Sequence, residues 1–403
     1  MKLTPRKPRA FVSFPRFMRP LSSCNLPERR CPVAREEATH RILIMRLGSY
    51  GDIVMGTPLL TALREAYPRA HLTWIVEHTQ REAIDANPLV DEILVWNGGY
   101  WRRMLRMGLA LPWLIQGLRL RAEMRRRRFD VFITFHAEQW PLLTRAVAAP
   151  ISAGIFGVFP QFDDPKRHYA RLYTQSYQEE DLPLHRTDIH LLALQALGLP
   201  PPSNKQMSLG YTSEDAEAAE KFLSAQALTG HGPLVVVAPT TTWESRCWPE
   251  DRYVALGDRL TRELGCRIVL IGSPKEADAV NLIALRMQVR PGIAAGTLSF
   301  RQMAALLGRA DLVISGDTGP MHVAAAVRTP YLALFGPTPV LGRAPLEGRG
   351  LAVSHPVPCG PCDLEHCANK NENHLLCMRL ITVGEVLERA SFLLARGGEA
   401  ARH

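Results

Sequence analysis

A chain of 403 residues suggests two domains, and at 46% hydrophobic residues each half can build a core. The 48 Lys and Arg against 39 Asp and Glu leave a net charge of +9, which favours anionic partners such as a membrane surface, nucleic acid or a phosphorylated substrate, or serves solubility alone. No uninterrupted apolar run reaches about 18 residues, which excludes a bilayer-spanning helix.

Residues Met1 to His40 are rich in Arg and Pro and include Cys24 and Cys31. They lack the apolar core and small-residue cleavage site of a secretory signal, and they read as a disordered basic extension. A cytoplasmic location follows as the expectation, with the eight cysteines mostly reduced.

The first strong strand is Arg41–Arg46, followed by a glycine-bearing turn over Leu47–Asp52 and a helix from about Thr57 to Ala66, with Pro58 in its first turn. Strands His71–Val76, Glu92–Val95 and Val131–Phe135 follow. Pro200–Pro202 with Ser203 marks a linker, after which the alternation restarts: strand Leu234–Ala238, helix Glu250–Leu264, strand Arg267–Ile271, and a helix near Lys275–Met287. Ser299 caps a helix through Leu307. Strand Asp311–Ile314, a helix to Val327 and strand Tyr331–Phe335 complete the second half. Alternating strands and amphipathic helices predict parallel sheets with crossover helices. The expected architecture is α/β, with two Rossmann-like doubly wound domains facing a cleft. Residues 41–200 form the acceptor domain, 201–388 the nucleotide domain and 389–403 a tail.

Four motifs carry candidate chemistry. Gly48 to Asp52 gives G-x-x-G-D directly after the first strand. Asp52 there could take a proton from an acceptor hydroxyl, or simply cap the next helix. The G-x-G-x-x-G fingerprint is absent, which weakens a nicotinamide-dependent oxidoreductase. Thr240, Thr241 and Thr242 through Arg246 suit phosphate oxygens, with a solvated loop over a packed Trp248 as the alternative. Ser315 to His322, containing Asp317, Thr318 and Gly319, joins a strand to a helix, where free N–H groups and the helix dipole can bind an anion. His322 could equally be a packing residue. Glu276, after the Gly272 turn, could bind ribose hydroxyls or sit on the surface as a helix-start charge.

In order, these motifs resemble glycosyltransferase family 9, whose best-known members are ADP-heptose:lipopolysaccharide heptosyltransferases. The matching stretches are RILIMRLGSYGDIVMGTPLLTALREAYP, APTTTWESRCWPEDRYVAL, DLVISGDTGPMHVAAAVRTPYLALFGPTP and CGPCDLEHCANKNENHLLCMRLITVGEVL, so the likeness runs from about His40 to Leu387. The resemblance implies a GT-B fold and inverting, metal-independent transfer of a sugar from a nucleotide sugar to a lipid-linked saccharide, with no nucleic-acid partner. It implies Asp52 as general base, with Thr241, Thr242 and Arg246 on the donor phosphates, Asp317, Thr318 and Gly319 as the donor-binding motif followed by His322, and Glu276 on the ribose. Gly51, His136, Arg125 and Arg128 fall on the acceptor side. The loop Phe135–Glu138 departs from the family's usual Asp- and Gln-bearing segment. A different donor, a protein acceptor or a silent nucleotide-binding module are the competing readings.

Two features stand outside the motifs. Arg102 to Arg128 is rich in arginine with interleaved Trp101, Met104, Leu105, Trp113, Leu114 and Leu118. Such a segment can lie on an anionic inner-membrane surface, or form a solvated helix face. Cys359, Cys362, Cys367 and Cys377 could hold structural zinc or iron, or be free thiols in a packed loop.

Overall fold

The computed structural model describes residues 40–135, 141–156, 173–178 and 185–400. Two six-stranded sheets form its centre. The first contains β1 (Arg41–Met45), β2 (His71–Glu77), β3 (Glu92–Trp96), β4 (Val131–Phe135), β5 (Ile151–Phe156) and β6 (Gln175–Gln178). The second contains β7 (Leu234–Ala238), β8 (Arg267–Leu270), β9 (Gly292–Ile293), β10 (Leu312–Gly316), β11 (Tyr331–Phe335) and β12 (Gly350–Ser354).

Their orders are β3-β2-β1-β4-β5-β6 and β12-β11-β10-β7-β8-β9, with every pairing parallel. Read from the other edge, the second order is the first one repeated. The chain therefore builds the same doubly wound sheet twice without a sequence repeat. Ile42 pairs with Val131 at one reversal of strand order and Leu312 with Val235 at the other. Helices cover both faces, so β4, β7, β10 and β11 are buried along their whole length and read as apolar runs.

The first helix begins earlier than the spacing suggests. Ser49 and Asp52 form a reciprocal capping box that starts helix α1 at Tyr50–Gly56. Pro58 then begins a second helix, α2, at Pro58–Ala66, because its ring blocks continuation of α1. Buried Thr57 stands between them: its hydroxyl donates to the Val54 carbonyl at 2.7 Å and accepts the Ser208 N–H at 2.9 Å. Ser299 caps helix Phe300–Arg309 with a capping box, as expected. β10 reaches Gly316, two residues into the expected loop. Helix Val383–Ala400 crosses the boundary drawn at 388 and buries Ala390 and Leu393 in the second lobe's core, so that part of the expected tail belongs to the domain.

Two further helices leave the first lobe after β3: α3 (Gly98–Arg106) and α4 (Ala110–Arg127). No described helix is long and apolar enough to cross a membrane. The lobes touch at several points. Val54 and Met55 of α1 join the second lobe's core, His185 Nε2 meets the Ala344 carbonyl at 2.7 Å, and Arg301 reaches Asp85 at 2.8 Å.

Candidate active site

A cleft of about 800 Å³ lies between the lobes, where the carboxyl ends of β1, β7, β8 and β10 converge. Doubly wound sheets place ligands at this end. Gly51, Asp52, Thr242, Arg246, Glu276, Asp317, Thr318, Gly319 and His322 all line it. Residues separated by some 270 positions in the chain thus share one cavity.

Asp52 sits in the first turn of α1. Its Oδ2 accepts from the Ser49 hydroxyl at 2.9 Å and the Ser49 N–H at 3.3 Å. Its Oδ1 lies 3.1 Å from Nη2 of Arg46, a side chain with no solvent exposure. The cap reading and the cleft reading are both met, because the carboxylate keeps 26% of its surface open. Gly51 allows the lobes to approach: a Cβ there would lie 3.3 Å from His322 Cδ2 and 3.5 Å from Gly319 Cα.

Opposite stands Arg246, whose Nη1 donates to the Asp317 carbonyl at 3.1 Å and lies 3.5 Å from the Asp317 carboxylate. Its guanidinium stacks 3.7 Å from the centre of the Trp243 ring. Burial pulls the Arg246 pKa below its usual value, against the field of Asp317. Arg343 also lines the cleft and grips Asp363 through two contacts of 2.8 and 2.7 Å.

Thr318 caps helix Gly319–Ala326 by its backbone only; its side chain makes no capping bond. Space is open beside Gly319; Pro320 next to it has no N–H and the Met321 N–H bonds the Thr318 carbonyl at 3.2 Å, so the Gly319 N–H is the donor this helix start can offer an anion. His322 is buried, with no hydrogen-bond partner at Nδ1 among the described residues. Burial pushes its pKa down to about 4, so the ring is neutral near pH 7. Glu276 Oε2 accepts the Ser273 N–H at 2.8 Å on the wall formed after β8.

Other expected site residues lie elsewhere. Thr241 does not border the cleft; its hydroxyl donates to the Trp243 carbonyl at 2.7 Å and shapes the loop, while Thr240 borders the cavity. Trp248 packs beneath, fully buried, with its indole N–H on the Ile381 carbonyl at 2.9 Å. Arg125 and Arg128 are at the wrong end of the lobe for an acceptor in the cleft. α4 runs back to the amino-terminal edge of the sheet, where the neighbouring Arg127 pairs with Glu92, the first residue of β3. His136 and the rest of 136–140 lie outside the described residues.

The cysteine loop gives no support to one of its two expected readings. Cys359, Cys362, Cys367 and Cys377 border one small hollow as free thiols. Among the described residues no three His, Cys, Asp or Glu side chains form a group able to hold a metal ion. Structural zinc or iron is therefore not supported. Cys359 Sγ instead accepts from Asn369 Nδ2 at 3.0 Å, and burial raises the Cys377 pKa, which favours its neutral thiol. The loop braces the Arg246 wall of the cleft: the Ser245 hydroxyl donates to the Leu364 carbonyl at 2.6 Å, and Asp363 holds Arg343.

Sequence reasoning missed three features. One is Arg46, whose signal was a charge closing an otherwise apolar strand. Another is Tyr50, stacked at 4.0 Å on Phe300 of the other lobe. The third is a second hollow of about 490 Å³ lined by Glu77, Asn97 and Arg102, which shares Leu47 and Gly48 with the cleft. Burial raises the Glu77 pKa there, although the Gly98 N–H lowers it in part.

Comparison with known proteins identifies the family and the fold. The model of a family described as Glycosyltransferase family 9 (heptosyltransferase) matches residues 118–372. Lipopolysaccharide heptosyltransferase 1 of Pseudomonas aeruginosa is 28% identical over 334 residues, 81% of this chain and 87% of that protein. A glycosyl transferase family 9 structure from Veillonella parvula superposes with a TM-score of 0.74 at 23% identity, covering 89% of this chain and 98% of that one. Escherichia coli heptosyltransferase WaaC, solved with ADP-2-deoxy-2-fluoro heptose, superposes with a TM-score of 0.60 at 22% identity, covering 87% and 99%. The two-lobed architecture is thus the GT-B fold.

Proposed function

This chain belongs to glycosyltransferase family 9, and we propose that it moves a heptose from ADP-heptose to a lipopolysaccharide core acceptor, with inversion and without a catalytic metal. It is a glycosyl-transferring enzyme; the sugar, the acceptor and the stereochemistry are the proposal. The observation that carries it is the placement of Asp52 in one cleft with Arg246, Thr318 and Gly319. The name of the Pseudomonas aeruginosa relative and the ADP-sugar in the Escherichia coli neighbour support the choice of sugar and nucleotide.

Asp52 takes the proton from the acceptor hydroxyl as that oxygen attacks the anomeric carbon. The bond to the diphosphate breaks on the opposite face, so the configuration inverts and ADP leaves with the bonding pair. Negative charge grows on the diphosphate. Arg246, the Thr242 and Thr318 hydroxyls and the Gly319 N–H stabilise it in place, where a single such donor is worth roughly 3–4 kcal/mol of barrier. These groups supply the positive field that the leaving group requires. Glu276 takes the ribose hydroxyls, and Ala294, Leu298 and Met303 line an apolar part of the cleft suited to the adenine. The acceptor enters from the hollow of Glu77, Asn97 and Arg102, whose groups suit a hydroxyl-rich anionic saccharide. A lipid-linked acceptor places the enzyme at the inner face of the inner membrane.

A panel of nucleotide sugars, offered with a deacylated core acceptor, tests this by nucleotide release and by NMR of the product anomer. ADP-heptose consumed with inversion is the expected result. Turnover confined to another donor, or retention of configuration, would overturn the proposal.

A further inference from the structure

A surface helix of a folded domain ordinarily turns its apolar stripe inward. α4 does the reverse over its first half. Leu111, Leu114, Ile115 and Leu118 follow the i, i+3, i+4, i+7 spacing of one helix face, and all four are exposed, from 42% to 67%. Leu105 and Met107, at the end of α3 and in the turn, are exposed as well. The hairpin is held in shape from behind: Trp101 stacks on Trp96 of β3 at 5.2 Å and meets Trp113 of α4 edge-on at 5.8 Å. This apolar surface is therefore presented by a braced element.

Its surroundings say what covers it. Between Gly98 and Arg128 there are nine arginines against one glutamate, and Arg102, Arg103, Arg106, Arg119 and Arg121 are exposed beside the apolar stripe. A second copy of the chain would bring the same positive charge to the contact. Residues 1–39, with nine Lys and Arg against three Glu, would do so too. The complement of exposed leucines ringed by arginines is an anionic lipid surface, where aliphatic side chains enter the headgroup boundary and guanidinium groups meet phosphates.

We propose that the α3–α4 hairpin is a membrane-docking paddle, with Leu111, Leu114, Ile115 and Leu118 inserting into an anionic phospholipid leaflet. This deepens, and rests on, the reading of a lipid-linked acceptor. The paddle begins next to the acceptor hollow, since Asn97 caps α3 and Arg102 lies in its second turn while both line that hollow. Docking through this element sets the hollow against the leaflet from which the acceptor's sugar emerges.

The test is flotation of the full chain with phosphatidylglycerol-containing vesicles and with pure phosphatidylcholine vesicles, at low and high salt. The chain floats with the anionic vesicles and is released by salt. Replacing Leu111, Leu114, Ile115 and Leu118 together by Ser abolishes flotation, leaves the thermal unfolding midpoint in place, and leaves turnover of a deacylated acceptor unchanged. Arg119→Gln with Arg121→Gln weakens flotation without altering that turnover. Equal binding to neutral vesicles, or full flotation of the quadruple variant, overturns the proposal. So does a lipid-free dimer of the wild type that the quadruple variant dissolves. Vesicle binding with no transfer to the soluble acceptor would instead sink the transferase reading and leave the paddle standing.

Discussion

The guanidinium of Arg46 lies 3.1 Å from Asp52 Oδ1, and while the arginine is wholly buried the carboxylate opens into the cleft. Nε and Nη1 of Arg46 have no hydrogen-bond partner among the described residues, and its charge sits 5.8 Å from the Phe135 ring. A desolvated cation with so little compensation is costly to keep. Its ion pair with Asp52 holds that carboxylate at the cleft, which makes Arg46 a positioning residue if Asp52 is the base proposed above.

Replacing Arg46 with Met frees one oxygen of Asp52 to rotate. A misplacement of about 1 Å commonly costs on the order of 100-fold in rate. We expect kcat to fall by roughly that factor with donor KM unchanged and with the unfolding midpoint held or raised, since a buried charge is gone. Arg46→Lys should recover part of the loss. Steady-state kinetics beside a thermal melt distinguishes this from misfolding; an unchanged kcat in Arg46→Met would refute the role.

On the proposed reading, Arg246 holds the diphosphate of the donor. Its stacking on Trp243 and its bond to the Asp317 carbonyl fix the fork in one orientation. Arg246→Ala should raise donor KM and lower kcat, together costing about 3–4 kcal/mol of transition-state stabilisation. Arg246→Lys should recover only part, because an ammonium cannot reproduce a planar fork. Titrating ADP by calorimetry separates binding from turnover. Wild-type ADP affinity in the alanine variant would rule the contact out.

Two buried histidines make stability depend on acid. Burial pushes His322 down to about 4 and His190 to about 3. An unfolded histidine titrates near 6.5, so between that value and the folded one the unfolded chain binds a proton that the native chain does not. Stability is therefore fully present above about pH 6.5 and falls as pH drops, with each histidine adding about 1.4 kcal/mol per pH unit to the slope. Urea unfolding at pH 7 and pH 5 should show this loss, and His190→Gln should flatten it by its share. A slope unchanged in that variant would contradict the assignment.

The legible parts of the chain were those with a strong local cause. β1, β7, β10 and β11 are apolar because both of their faces are covered, so the two lobes could be drawn from strand runs alone. The helix after Ser299 announced itself through its capping box. β5, with Ser152 and Gly154, and β6, QSYQ, carry no such run. The loops that border the cleft could be located by their small and hydroxylated residues, yet which hydroxyl faced the cavity was decided by the fold: Thr241 turned to Trp243, and Thr240 took the cleft. Arg125 and Arg128 looked like acceptor residues because charge is visible in a sequence, whereas the end of a sheet to which a helix returns is not. Arg46 lay in plain view at the end of RILIMR, but its burial depended on Phe135 and Asp52 arriving from elsewhere.

The most direct test of the account is turnover of Asp52→Asn, which keeps the side chain's shape and removes its charge and basicity. The prediction is a fall in kcat of about 10²- to 10⁴-fold, the usual worth of a positioned base, with ADP affinity and the unfolding midpoint close to wild type. Transfer at the wild-type rate by this variant would contradict the account at its centre.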